Sequence, residues 1–563
     1  MTIEEKKSII SEDYANALVE YSRQDEFNLK YANFPLNIID ERYGVIYFPV
    51  SDVSTTLQKE NAYAMIPKLF GLLEVNQEAL GLVKLRNIPR MDFKGEQVLL
   101  GFVDSGIDYN NTVFKYSDNT TRIVSIWDQT IENMEASEDI FNYGTEYSRE
   151  VINTAIISED PYSIVPSKDE LGHGTMLAGI AGGSESEEFQ GVAPLTEFVV
   201  VKLKPAKTYL RNYFGIPENA TCFQEDDIMF GIMYLLKKAI LLNRPIAICI
   251  GLGTSQGPHD GNLPLSTFIS WHGGFNGRAF LAAAGNEGNS RHHYFGTIAG
   301  NNPNDLFELN VGADEKAFSM ELWGYAPYIY SIDIQSPSGE YIPRIIARYG
   351  ESREIKFLFD NTTVFVDHLI VEAVTGDPMI LIRFMAPAPG LWKFKVYCSA
   401  TVDVNYHVWL PITGFITENT FFPNSNPDTT ITSSGNALFV TTVTAYDSAT
   451  NSVYLSSSRG YTRYNVVKPN VAAPGVNIMT PRPMNQFISA SGTSIATAYA
   501  TGIAAILLEW GIVKGNYYSI SSLQIQRFLI RGAMTDPQNI YPNNIWGYGK
   551  INIYNTFLSF RGD

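Results

Sequence analysis

Val98-Leu99-Leu100-Gly101-Phe102-Val103-Asp104-Ser105-Gly106-Ile107-Asp108 is an apolar run without polar alternation that ends on a carboxylate and a glycine turn. Runs of this kind read as strands buried on both faces, the mark of a parallel sheet covered by helices. Two more follow, Phe198 to Leu203 and Ile246 to Ile250. Between them, Asp227 to Leu242 carries Ile228, Met229, Ile232, Met233, Leu235, Leu236, Ala239 and Ile240 at helical spacing. Strand, helix and strand in succession predict an α/β layer protein built on a doubly wound parallel sheet.

A different texture lies between about residues 306 and 425. Tyr330, Ile332 and Ile334, then Trp392, Phe394 and Val396, then Val402, Val404, Tyr406 and Val408 alternate with polar residues. Period two with turns between predicts half-buried antiparallel strands, read as an inserted β-sandwich of jelly-roll type. The α/β texture returns at Ala437 to Ala445 and in a helix from Thr493 to Trp510. Ahead of everything stands a small α+β segment holding the strand-like Tyr43 to Val50 and closing at Ile66-Pro67-Lys68-Leu69-Phe70-Gly71-Leu72-Leu73. The expected division is 1–75, 76–307, 308–424 and 425–563, the second and fourth forming one split domain. This agrees with the three or four units that 563 residues imply.

Composition narrows the function. With 45% hydrophobic and 18% charged residues the chain is globular. The balance of 41 Lys+Arg against 59 Asp+Glu, a net charge of −18, repels phosphate backbones and anionic bilayers, so no nucleic acid is expected as a partner. Cys222, Cys249 and Cys398 are too few and too scattered for a disulfide framework and read as buried small hydrophobes. The start, Met1-Thr2-Ile3-Glu4-Glu5-Lys6-Lys7-Ser8, has no export signal, and no apolar run suits a membrane span; a soluble protein kept inside the cell is expected.

Three local patterns carry chemistry. Asp104 ends a buried strand, where open α/β sheets place reactive groups. Gly172-His173-Gly174-Thr175 puts an imidazole at a helix start. Ser491-Gly492-Thr493-Ser494 puts a hydroxyl at another helix N-terminus, where free amides and the dipole favour a developing oxyanion. A serine needs a histidine to take its proton and a buried carboxylate to orient that histidine. The order Asp, His, Ser is the subtilisin order. A fourth pattern, Phe280-Leu281-Ala282-Ala283-Ala284-Gly285-Asn286, ends a strand on an amide able to join the Ser494 backbone N–H as an oxyanion hole.

These segments resemble the subtilisin-like serine proteases at Asp104, His173, Asn286 and Ser494, with support at Gly191 to Pro194, Gly251-Leu252-Gly253, Ser457 to Gly460 and Lys468 to Ile478. The resemblance implies that Gly251, Leu252 and Gly253 pair with a peptide substrate; separately, no cofactor and no metal ligand are expected. It departs past the nucleophile, where the usual Ala-Pro-His reads Thr497-Ala498-Tyr499. The whole layout is most similar to the Csp germination proteases of clostridial spores. That likeness implies self-cleavage of the N-terminal prodomain between about Leu73 and Gln77, a prodomain held in the active-site groove, and a protein substrate that is the zymogen of a spore cortex-lytic enzyme. It places the protein in the mother cell or forespore and finally in the spore. The competing reading is a pseudoprotease or signalling scaffold that binds a partner without turnover.

Other motifs have plainer readings. Asp108 reads as a turn residue or a contact to the N-terminal segment. Adjacent strand histidines such as His292 and His293 point to opposite faces and read as packing rather than a metal site. Gly253-Thr254-Ser255-Gln256-Gly257 fits an esterase nucleophile elbow, but Pro258 follows where a helix must begin. Ser184 to Glu188 reads as a solvated acidic loop and Arg561-Gly562-Asp563 as incidental.

Overall fold

The computed structural model describes residues 1–53, 62–73, 93–133, 141–185, 189–302, 304–348 and 352–560. Eight strands form the central sheet, in the order Val471–Pro474, Thr441–Tyr446, Arg278–Ala283, Ile246–Ile250, Leu99–Asp104, Glu197–Lys202, Ile123–Asp128 and Thr145–Ser148. All neighbours are parallel except the last pair. Along Leu99–Asp104 the side chains alternate between two cores: Leu100 and Phe102 enter one, Leu99 and Val103 the other. Both faces are covered, which is why the sequence shows no polar alternation there. The helix Thr493–Leu508, buried over its whole length, packs on one face, and Glu225–Leu241 packs on the other. Ser494 therefore stands in the first turn of a helix buried at every position.

Thr493–Val513 is also long and apolar enough to cross a membrane, but 89% of its apolar window is buried inside the protein, as befits a core helix. Within the stretch from Ala437 to Ala445 the strand begins only at Thr441, because the chain turns through Leu438 to Val440 after the 3₁₀ turn Ser433–Asn436.

Antiparallel strands make a second body. A six-stranded sheet runs in the order His293–Ile298, Val404–Trp409, Ala317–Trp323, Met379–Met385, Thr362–Leu369, Ser352–Phe357. A four-stranded sheet runs Asn304–Val311, Gly390–Cys398, Tyr330–Gln335, Tyr341–Ile345. Their inner faces share one core around Phe307, Phe384, Trp392, Phe394 and Tyr406. Pairing starts at His293, ahead of the alternating texture, because this edge strand leaves Tyr294 half-buried and Phe295 exposed and so lacks a clean period. Val402, expected within a strand, precedes Val404–Trp409 and is exposed.

The N-terminal segment sets Tyr14–Glu20, Tyr43–Pro49 and Leu36–Ile38 in an antiparallel sheet with the helices Ile3–Ile10 and Gln24–Lys30. Thr2 caps the first helix with a reciprocal bond to Glu5. Ile9, Leu18, Val45 and Tyr47 enter the same core as the helix Glu225–Leu241. Buried polar ties hold this face: Asn16 donates to Asp226 at 2.7 Å, and His272 meets Asp40 at 2.9 Å.

Candidate active site

Asp104 is the last residue of its strand and His173 the first of the helix His173–Gly182. His173 Nδ1 lies 2.8 Å from Asp104 Oδ1, and Nε2 lies 3.4 Å from Ser494 Oγ. All three side chains are buried. The close approach depends on Gly174, where a Cβ would come 2.1 Å from the Gly106 carbonyl oxygen. Burial by itself would lower the His173 pKa, but the adjacent Asp104 carboxylate together with Asp169 outweighs it and the net position is above the ordinary 6.5. The Leu73 carbonyl adds to that upward push.

Asn286 Oδ1 accepts from the Thr493 backbone N–H at 3.2 Å and from the Thr493 hydroxyl at 2.9 Å. The amide is thereby oriented with its oxygen to the helix start beside Ser494 and its nitrogen, a donor only, turned the other way.

The chain's own strand Leu69–Leu72 lies in the adjoining cleft. It pairs antiparallel with Leu252–Gly253 on one side and with Cys222–Gln224 on the other. Leu73 N–H reaches the Gly251 carbonyl at 3.4 Å, and Ser494 Oγ donates to the Leu73 carbonyl at 3.2 Å. A peptide carbonyl therefore sits against a hydroxyl that also faces an imidazole. This is strand addition to a sheet edge, with the backbone supplying the hydrogen bonds.

The Peptidase_S8 subtilase family matches residues 95–305 and 405–549, more than half of the chain. The chain belongs to the subtilase family. It is 28% identical to the CspB protease of Clostridium perfringens, with a TM-score of 0.75, over 84% of this chain and 97% of that structure. It is also 34% identical over 154 residues to serine protease AprX of Bacillus subtilis (strain 168), spanning 24% of this chain and 33%, about a third, of that protein.

In this subtilase the residues expected from sequence, Asp104, His173, Ser494, Asn286, Gly251, Leu252 and Gly253, come together around one cleft. Two contributors lie outside those motifs. Asp169 Oδ1 accepts from the Ser105 hydroxyl and the Gly172 N–H, and its Oδ2 from the Thr175 N–H, so it fixes the turn that carries His173. An Asp shortly before a helix-opening glycine is the available signal. Cys222–Gln224, the second wall of the cleft, has no local signature, since a three-residue strand is defined only by its partner.

The remaining motifs resolve elsewhere. Asp108 accepts from Met484 N–H and ties the loop beyond Arg482. His292 pairs with Glu287, and His293 with His407; among the described residues no group of three or more His, Cys, Asp or Glu could hold a metal ion. Ser255 is followed by no helix until Pro264, so it is not a nucleophile elbow. All three cysteines are buried thiols, with burial pushing Cys222 up to about 11 and Cys249 to about 12. Glu74 to Gln77, Ser186 to Glu188 and Arg561 to Asp563 lie outside the described residues.

Proposed function

We propose that this subtilase is a serine endopeptidase whose first substrate is itself, cut after Leu73. The carrying observation is the placement of the Leu73 carbonyl on Ser494 at the end of a strand already paired in the cleft. Ser494 Oγ attacks the carbonyl carbon while His173 Nε2 takes its proton. Asp104 holds the ring and stabilises the imidazolium. Asn286 and the Ser494 N–H receive the oxyanion, and His173 returns the proton to the leaving amine of Glu74. Water then repeats the sequence on the acyl-enzyme. The N-terminal segment acts as a prodomain that templates the cleft and occupies it afterwards. On a denaturing gel the native chain should give this segment and a large fragment beginning at Glu74, and Ser494→Ala should stay whole.

The likeness to CspB supports a finer proposal: the substrate in trans is the zymogen of a spore cortex-lytic enzyme, met inside the spore after synthesis in the mother cell or forespore. Incubating the native chain with that purified zymogen should release its activating fragment, and cell fractionation should find the protein in the spore. The two antiparallel sheets with one core support a jelly-roll-like insert that braces the catalytic layer. Removing residues 308–422 should sharply increase susceptibility to added protease. The occupied cleft also favours a second reading, a scaffold without turnover. A fluorophosphonate probe decides: labelling at Ser494 supports the enzyme, and none on the folded chain supports the scaffold.

A further inference from the structure

The cleft extends well beyond the residues that pair with the backbone, and the antiparallel body builds its far end. Lys68 and Tyr63 are fully buried in a part of the cleft that subtilase motifs do not describe. Tyr63 donates its hydroxyl to both oxygens of Glu321, at 2.8 Å each, and its ring meets Trp323 edge-on at 6.0 Å. Met379, Leu381 and Trp409 complete this apolar pocket, all from the six-stranded sheet. Lys68 Nζ lies 4.2 Å from the Tyr63 ring centre and donates to the Tyr63 and Ile66 carbonyls, which folds the segment into a compact plug.

The surrounding charge is negative. Glu225 accepts from the Lys68 backbone N–H at 3.1 Å, and Glu321 accepts from Gly257 N–H at 2.9 Å. Burial holds the Lys68 pKa below its ordinary value, and Glu225, Glu321 and Glu372 offset part of that push. Glu225 also accepts from Leu265 N–H at 2.8 Å and Glu321 from Trp323 Nε1 at 3.0 Å, so the Tyr63 hydroxyl and the nearby Lys68 ammonium complete a buried acidic site already lined with donors. Leu69 packs among Leu210, Phe214, Ile412 and Phe415. At Gly71 a Cβ would meet Ile412 Cδ1 at 2.8 Å and Phe415 Cε1 at 3.1 Å, so a larger residue must displace both.

We propose that Glu321 and Trp323 of the antiparallel body, with Glu225 of the catalytic layer, form a distal specificity subsite that takes a lysine and an aromatic residue five and ten positions before the scissile residue. The substrate class is a polypeptide carrying such a compact Tyr/Lys plug ahead of a small residue and two leucine-like residues. This rests on the reading that Leu73 is the scissile residue. The subsite sets which carbonyl reaches Ser494, because a plug held on its far side fixes the register of the strand between.

The test uses the full chain with Tyr63→Phe, Lys68→Met or Glu321→Gln. Each should slow self-cleavage about tenfold, the effect of about 1.4 kcal/mol from a buried polar partner left unmatched, and should spread the cut to bonds beside Leu73, read by intact mass. A purely structural role would lower the melting temperature while leaving the cut at Leu73. Native rate and a single native cut in all three variants overturn the subsite. A second readout does not need catalysis: in full-length Ser494→Ala, Tyr63→Phe, the mildest change, should speed hydrogen exchange at the amides of Leu69 to Leu72. Unchanged exchange there also overturns the subsite. A native chain that is never cut, with exchange responding as stated, sinks the cleavage reading and leaves only the docking of the Tyr63/Lys68 plug on Glu321 and Trp323 standing.

Discussion

Two groups of buried histidines in this molecule, His173 in one and His259, His293 and His407 in the other, titrate in opposite directions. In the catalytic layer, His173 faces a carboxylate at 2.8 Å and its pKa lies above the ordinary 6.5. At the junction with the antiparallel body, His259, His407 and His293 stack on Trp409 with ring centres 4.0, 5.0 and 4.9 Å away. Their polar partners are carbonyls, a tyrosine hydroxyl and one another, and Arg463 adds a repelling cation. Burial pushes His259 down to about 4 and His293 to about 3, and holds His407 well below the usual range. Burial is common to both regions, so the carboxylate partner is what makes a proton-accepting base usable near neutral pH.

The largest expected effect comes from erasing that difference. Asp104→Asn gives His173 a neutral partner like those at the junction, and self-cleavage should slow by about 10⁴-fold, timed by gel. A loss smaller than tenfold would mean that the carboxylate is not what sets His173 apart. Asn286→Leu should cost about 10²–10³-fold in the same assay through the lost oxyanion donor, while leaving the His173 titration where it was. Movement of that titration would couple two functions that the geometry keeps separate.

The pH responses of the two regions should differ in sign. The junction histidines have folded pKa values below the unfolded one, so their stabilising contribution is present above about pH 6.5 and is lost as pH falls toward about 4. His173, raised, contributes fully below about 6.5, and that contribution is lost as pH climbs through its folded value. NMR of histidine-labelled protein at pH 5.5 should find His173 protonated and His259 and His293 neutral; a protonated junction there would break the contrast. The smallest effect expected is for Thr493→Val. It removes the hydroxyl bond that orients Asn286 and should slow cleavage by up to about tenfold with no change in either titration.

Much of this is legible without coordinates. The strand ending at Asp104, the helix starts at His173 and Ser494, and the turn at Asn286 each carry a local signature, because each needs a particular residue at a chain reversal. The helix expected from Asp227 begins at Glu225, two residues earlier, where three acidic residues suit its N-terminus. Asp169 and Cys222–Gln224 escape such a reading because their roles come from partners far along the chain. The early start of the antiparallel body at His293 escapes it because an edge strand need not alternate cleanly.

By itself the sequence determined which chemistry this protein can host, since apolar period, glycine turns and the Asp, His and Ser motifs are properties of short stretches. Only the tertiary structure decided what lies on Ser494 and what walls the cleft. Those depend on contacts between residues 421 positions apart in the case of Leu73 and Ser494, and 258 apart for Tyr63 and Glu321. Such pairings arise from the global packing of three bodies around one strand, and no local pattern encodes them.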